Sequence, residues 1–354
     1  MYQQDLMNES ILKRRWKKFK TLKRGYYSLV TLTVLYALSF LLPILINNRA
    51  LIVKYEGSLH FPIFSGYISG KEFGQDVPGE AKYRKLKDQF AGQIGSGNWV
   101  LMPPYPYSPY EDITTEGNKM YEPPSRKHWL GTDNTGRDVF ARLCYAFNIS
   151  ISFALILTLI NYVIGVLIGG AMGYFGGKFD LIFQRLIEIW SSLPMLFVII
   201  ILSSILKPSF LLLIGIYTLV NWISMTYLMR AEFYREKSRA YVAAALSMGQ
   251  SNFKVMFKHI LPNSLVPIIT YFPFAVVAGI TALVGLDYLG FGLSPPTPSW
   301  GQMLDVGLQN IRKWWMVFAP VTAQFLPSYV LFLLVKVCEK RLTQRSTPGC
   351  DENG

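Results

Sequence analysis

Long apolar runs alternate with polar intervals of very unequal length along this 354-residue chain. Six runs stand out, at about 26–47, 148–175, 183–206, 210–229, 264–286 and 316–337. Crossing ~30 Å of hydrocarbon takes about 20 mostly apolar residues. With no water to satisfy backbone groups in lipid, such runs close their own hydrogen bonds as helices. The pattern predicts an all-α integral membrane protein with six transmembrane helices. Its parts are a basic tail (1–25), a first helix (26–47), a long insertion (48–146), a five-helix domain (147–342) with a polar loop at 231–263, and a second tail (343–354). The first run, about 22 apolar residues, exceeds the ~7–15 of a signal peptide. No small-x-small cleavage pattern follows in "LLPILINNRAL", so the run reads as an uncleaved anchor.

Inside this frame the insertion is too long and polar for a turn. It contains strand-like pieces, "ALIVKY" and "NWVLM", and a Pro/Tyr cluster, "PPYPYSPY". A partly ordered insertion packing near the helix mouths is expected. In the second run Gly165, Gly169 and Gly173 recur every four residues, which lets membrane helices approach closely. Pro194, Pro273, Pro320 and Pro327 lie within later runs, where kinks are tolerated.

The loop between the fourth and fifth runs has its own order. Val242, Leu246, Gly249, Phe253, Met256 and Ile260 recur at steps of four and three, a helical face. Gly249 suits the left-handed position that ends a helix. Ser251 suits the N-cap of the next, and Pro262 marks a second stop. The expectation is helix, glycine turn, helix, stop. The apolar face must meet lipid headgroups or another protein, and periodicity does not choose between them.

Charge orients the frame. The net charge is +13, with 51% hydrophobic residues and a mean hydropathy of +0.27. Residues 1–25 hold eight Lys/Arg against two acids, residues 230–259 six against two, and residues 48–146 twelve against eleven. Basic residues concentrate beside the spans, as the positive-inside rule expects, and long loops translocate largely regardless of charge. Both termini are therefore expected in the cytoplasm, the last run being followed by Lys340, Arg341 and Arg345. The same distribution argues against nucleic acid. Cys144 is expected near the outer face and Cys338 and Cys350 near the inner, so no intrachain disulfide is expected. His60, His128 and His259 show no metal-ligand spacing, and no cofactor or metal is implied.

Candidate chemistry is sparse. "GTDNTGRD" combines Gly131 and Gly136 for tight turns with Asp133, Arg137 and Asp138, which can pair locally and set the angle at which the chain enters the second helix. "PPTPSWG" reads as a rigid outer turn, with Trp300 at the interface. Asp287 is a cargo-contact candidate, though capping or interface solvation explains it better. Glu188 is the one acid well inside an apolar run, with Arg185 three residues away for a helix-surface pair. No Walker A pattern and no Ser/His/Asp or Cys/His constellation occurs, so the chain carries neither a P-loop nor an evident catalytic site.

The pattern Ala244-Ala245, three residues, Gly249, then Leu261-Pro262 resembles the coupling loop of ABC-importer permeases. In that family the loop forms a short helix that enters a groove on the cytoplasmic ATPase. Ala243 stands where the family places glutamate, which puts a charged contact there in doubt. "HWLGTDNTGRDVFARLCYAFNISISF" is similar to the entry to helix two in the second permease of peptide importers, through His128, Leu130, Gly131, Thr132, Asp133, Gly136, Arg137, Asp138, Arg142, Leu143 and Tyr145. Ala146 and Asn148 replace the usual Gly and Arg. "LDYLGFGLSPPTPSWGQML" resembles the external loop after helix five, and the start of the insertion resembles the E-type permease of Yej-like, microcin C-type peptide importers. The resemblance implies a non-enzymatic permease subunit of a peptide importer in the cell inner membrane. It further implies a second homologous permease, two ATP-binding subunits or domains, and an extracytoplasmic peptide-binding protein. A proton-coupled secondary transporter, a membrane scaffold and an ABC permease for another cargo such as nickel are the alternatives.

Overall fold

The computed structural model describes residues 23–77, 79–93, 97–112 and 119–343. Most of the basic first tail, Arg345, Cys350 and the side chain of Cys338 lie outside the described residues. The elements are α1 (Lys23–Ser39), β1 (Ile52–Tyr55), β2 (Ser58–His60), α2 (Tyr83–Gly92), β3 (Trp99–Leu101), α3 (Val139–Phe175), α4 (Gly177–Ser191), α5 (Met195–Ile205), α6 (Phe210–Lys237), α7 (Ala240–Ser247), α8 (Leu265–Tyr288), α9 (Trp300–Gln309) and α10 (Trp314–Thr343).

Among the described residues four helices are long and apolar enough to cross a membrane: α3, α6, α8 from Pro267, and α10 as far as Leu333. A fifth span arises if α4 and α5 count as one, but they meet at 69°. The third run is thus not the single helix expected. Ser192 ends α4, and Pro194, which cannot continue a hydrogen-bonded ladder, caps α5 instead of kinking a helix. The first run is also divided. The described part of α1 ends at Ser39, and a separate turn, Leu42–Leu45, follows with Pro43 in its first positions. α1 nevertheless docks on α3: Asn148 Nδ2 donates to Ser39 Oγ at 2.7 Å, and the Tyr36 and Ser152 hydroxyls lie 2.9 Å apart.

α3 is the spine. Its 37 residues extend about 55 Å at 1.5 Å each, well beyond the hydrocarbon layer. It starts at Val139, nine residues before the apolar run, because Asp138 caps it. The small-residue face works as expected. A Cβ on Gly169 would strike the Thr226 carbonyl and come within 3.0 Å of the Arg230 nitrogen, while Gly165 meets Met225 and Gly173 meets the Arg230 carbonyl. α3 and α6 therefore touch backbone to backbone. Asp180, in the first turn of α4, grips Arg230 of α6 with two bonds of 2.5 and 2.6 Å. Pro273, Pro320 and Pro327 remain inside α8 and α10.

All-α is too narrow a description of the insertion, which carries a three-stranded antiparallel sheet in the order β2-β1-β3. β1 and β3 fall within the two strand-like pieces. Val53 and Val100 face α2, whose Tyr83, Leu86 and Phe90 are buried at helical spacing. Each such aliphatic or aromatic side chain contributes about 1.5–3 kcal/mol through burial, enough for this layer to hold its own small core.

Candidate functional site

Two constellations lie at opposite ends of α3. At its start the chain leaves the insertion through "HWLGTDNTGRD". Asp138 Oδ1 accepts the Ala141 N–H at 2.7 Å and satisfies one of the orphan donors of the helix. Its Oδ2 receives the Tyr105 hydroxyl at 2.7 Å and faces His128 Nδ1 at 2.8 Å. All three side chains are buried. Burial, with the Asp138 carboxylate beside it, pushes the Tyr105 phenol up from its ordinary range, so it remains a donor through neutral pH.

Asp133 closes the turn from its other side, accepting Thr135 N–H, Thr135 O–H and Arg137 N–H through Oδ1 at 2.8–2.9 Å. Gly131 and Gly136 take positive φ, as the tight turns require. Thr132 Oγ1 accepts the Glu122 N–H and donates to the Lys119 carbonyl.

The expected local pairs among Asp133, Arg137 and Asp138 do not form. Asp138 is committed to the helix N-terminus, His128 and Tyr105, while the cation beside Asp133 is Arg142, one turn into α3 at 3.7 Å. Tyr105 and the Asp138–His128 pairing escaped sequence reasoning. The Pro/Tyr cluster was visible, but nothing in it marks which tyrosine reaches a residue 33 positions away.

At the other end, α7 terminates as expected. Gly249 adopts φ +75°, its N–H bonds the Leu246 carbonyl at 2.9 Å, and the Gln250 N–H bonds Ala245 at 3.2 Å. This is a Schellman stop. Nothing lies within 4 Å of where a Cβ would be, so the backbone angle, not space, demands glycine. Ser251 occupies the N-cap position of the next turn, Asn252–Lys254, although its hydroxyl makes no capping bond. His259 Nε2 meets Gln250 Oε1 at 2.7 Å, and Tyr174, near the end of α3, donates to Asn252 Oδ1 at 2.8 Å. The hinge is thereby fastened to α3.

Two expectations for this segment are corrected. The apolar face is not uniformly free: Val242, Met256 and Ile260 are buried with Met229 and Phe233 of α6, whereas Leu246, Gly249 and Phe253 face outward. On either side of Gly249 the positions nearest the turn, Leu246 and Phe253, are exposed, and those farther from it pack against α6. Nor does Pro262 stop the chain. Residues Val255–Ile260 form a π-turn in which the Leu261 N–H reaches back to Met256, and Pro262 sits at the start of a short turn, Leu261–Asn263. The wider π-turn shifts the ladder where the proline lacks a donor, and the break falls at Ser264 instead.

Of the coupling candidates, Ala243, Ala244, Gly249 and Pro262 are exposed, Leu261 is half-buried and Ala245 is buried. Met248 and Phe253 flank the hinge at 70% and 71% exposure. Met248 had not been singled out, though its place beside a left-handed glycine was the available signal.

The remaining candidates make contacts within the chain. Glu188 pairs with Arg185 at 2.6 Å on the exposed surface of α4. Asp287 is buried, accepting the Leu293 N–H at 2.6 Å and Ser299 Oγ at 2.5 Å, so it folds the "LGFGLS" loop back onto α8 and holds the residue that caps α9. Trp300 is not at an interface but buried, its indole N–H on the Leu143 carbonyl at 3.2 Å. Among the described residues no His, Cys, Asp and Glu side chains are grouped to hold a metal ion.

These features can be set beside known proteins. A family model described as the binding-protein-dependent transport system inner membrane component matches residues 165–344, which takes in the glycine face, the hinge and α8 to α10. Over 323 residues the chain is 40% identical to the inner membrane ABC transporter permease protein YejE of Escherichia coli (strain K12), covering 90% of this chain and 93% of that one.

The chain belongs to this family of ABC-importer permeases.

It is 36% identical to the peptidoglycan transport system permease protein YejE of Agrobacterium fabrum, covering 92% and 90% of the two chains. To the dipeptide transport system permease protein DppC of Bacillus subtilis it is 37% identical, with coverage of 65% and 71%. As a member of the family with several long apolar helices, this permease is a multi-pass protein of the inner membrane. Importers of this family work with a second permease, ATPases and a binding protein.

Proposed function

We propose that the permease conducts peptides into the cell as one half of a heterodimeric pathway, with residues 240–263 as the element that receives work from an ATPase. The observation that carries this reading is the hinge. Two short helical pieces meet at a left-handed Gly249, fastened to α3 behind and presenting Leu246, Met248 and Phe253 in front. Exposed apolar side chains on a braced turn fit a groove in another protein. Ala243, where the resemblance to the family's coupling loop implies glutamate, is exposed and apolar, so shape rather than charge makes the grip.

In this reading α1 with its following turn, and the bent pair α4–α5, each complete a span. The six spans place both termini in the cytoplasm and the insertion outside, in line with the concentration of Lys and Arg in 1–25 and 230–259. A second, homologous permease completes the pathway, and a binding protein delivers cargo at the insertion side. Two ATP-binding subunits move the hinge, their binding favouring one of two bundle arrangements. Peptide cargo is supported by relatives named for dipeptide and peptidoglycan transport. Modified peptides of the microcin C kind are the narrower proposal. Glu188 is exposed and paired with Arg185, so it is not itself a buried acid of the kind proton coupling uses.

The test is ATP-dependent uptake of labelled peptides by the complete complex in proteoliposomes. Deleting 243–258 should leave membrane insertion intact while abolishing ATPase association and uptake; ATP-driven uptake that survives the deletion contradicts the reading. With Cys144 and Cys338 replaced by serine, Cys350 should react only with reagent on the cytoplasmic side.

A further inference from the structure

The sheet of the insertion has two apolar faces, and α2 covers only one. Neighbouring residues on a strand point to opposite faces. Val53 and Val100 point toward α2, so Lys54 points away, with Leu59 and Trp99 directly opposite it on the two flanking strands. Leu101, two residues beyond Trp99, shares that outer face. Leu59, Trp99 and Leu101 are 56%, 43% and 46% exposed, and Phe64, in the turn after β2, reaches 78%. None of the paired positions on this face is acidic. Among the described residues Lys54 forms no ion pair, so its ammonium is available to something outside the chain.

The place of this face in the chain says what lies beside it. The Leu51 N–H bonds the Leu101 carbonyl at 2.8 Å, and the Tyr105 N–H bonds the Leu45 carbonyl at 3.1 Å. Tyr105 lies four positions beyond Leu101, so the edge of the sheet is held within roughly 14 Å of the last helical turn of the first apolar run. That turn and its approach expose Phe40 and Leu45, in the topology proposed above the apolar surface of a segment leaving the bilayer. Aromatic residues at headgroup depth, with a lysine reaching outward along an apolar stem, are the chemistry of the membrane–water boundary.

We propose that this face of the insertion rests on the lipid surface, with Phe64, Trp99 and Leu101 entering the headgroup–acyl boundary and Lys54 meeting lipid phosphates. The bilayer then acts as a third support for the insertion, beside α2 and the junction at Asp138. It sets the tilt of the insertion against the mouth of the pathway.

The experiment uses the whole complex in nanodiscs of phosphatidylethanolamine and phosphatidylglycerol. A fluorophore is attached to a single cysteine introduced as Phe64→Cys, Leu101→Cys or, on exposed α2, Lys85→Cys, with Cys144, Cys338 and Cys350 replaced by serine. Lipids carrying a shallow spin-label quencher should cause loss of fluorescence at positions 64 and 101 but not at 85, with or without the binding protein. Aqueous iodide should show the reverse order. Iodide quenching at all three positions without lipid quenching overturns the proposal. So does protection of 64 and 101 that arises only when the binding protein is added, since the face would then belong to that protein.

Discussion

The two ends of α3 solve opposite problems. At its start, three segments distant in sequence converge on one carboxylate, and Asp138, His128 and Tyr105 are 1%, 0% and 5% exposed. At its finish, Met248 and Phe253 project from a braced turn into open space. The first end is completed by its own chain. The second keeps its backbone geometry through Gly249, His259 and Asn252 but leaves its largest side chains unburied. A lever needs both properties, a fixed point and a surface on which something else acts.

Substitutions in the shared helix test whether the ends depend on one another. The largest effect is expected for Gly169→Leu. Its side chain has nowhere to go between α3 and the backbone of α6, and overpacking of this kind costs about 3 kcal/mol or more. Thermal unfolding of the purified permease should show both ends lost together. If the variant keeps a normal melting temperature, backbone contact along this face is not what joins them.

Asp138→Ala comes next and is confined to the first end. It removes a helix cap worth ~1 kcal/mol and leaves buried His128 and Tyr105 without their acceptor, for a total of about 2–4 kcal/mol. Hydrogen exchange should accelerate across 128–142 while ATPase association persists. Asp138→Asn, which keeps an acceptor for the cap, should be milder.

Gly249→Val is the smallest in stability and the most selective in function. A β-branched residue at φ +75° costs about 1–2 kcal/mol in the hinge alone. The melting temperature should fall only slightly while ATPase association fails. Gly249→Asn should retain much of it, because asparagine tolerates this backbone region.

Local features were readable in the chain, and long-range ones were not. The glycine face on α3, the stop at Gly249 and the strands flanking the insertion follow from spacing and propensity, and the helix–turn–helix shape from neighbouring residues alone. The partners of Asp138 and Asp287 were not legible. Each side chain is satisfied by groups that only the fold brings near, Tyr105 and His128 in one case and Leu293 and Ser299 in the other. Pro262 misled for a related reason. A proline rule assumes an α-helical ladder, and the π-turn before it supplies a different one. Nor does each apolar run become one straight helix, because Ser192–Pro194 breaks the third run and the first is divided after Ser39. Trp300 shows the limit of composition: a tryptophan near a span end suits an interface, yet packing across α3 buries it.

Whether an ATPase holds the hinge, as proposed, is tested most directly by site-specific cross-linking. A photoreactive phenylalanine analogue at Phe253, which is exposed and adds no strain, would be activated in the assembled complex in membranes. A covalent adduct with the ATP-binding subunit is expected, its yield changing between the nucleotide-free and ATP-bound states. Adducts only with lipid, or none while ATP-driven uptake continues, would contradict it.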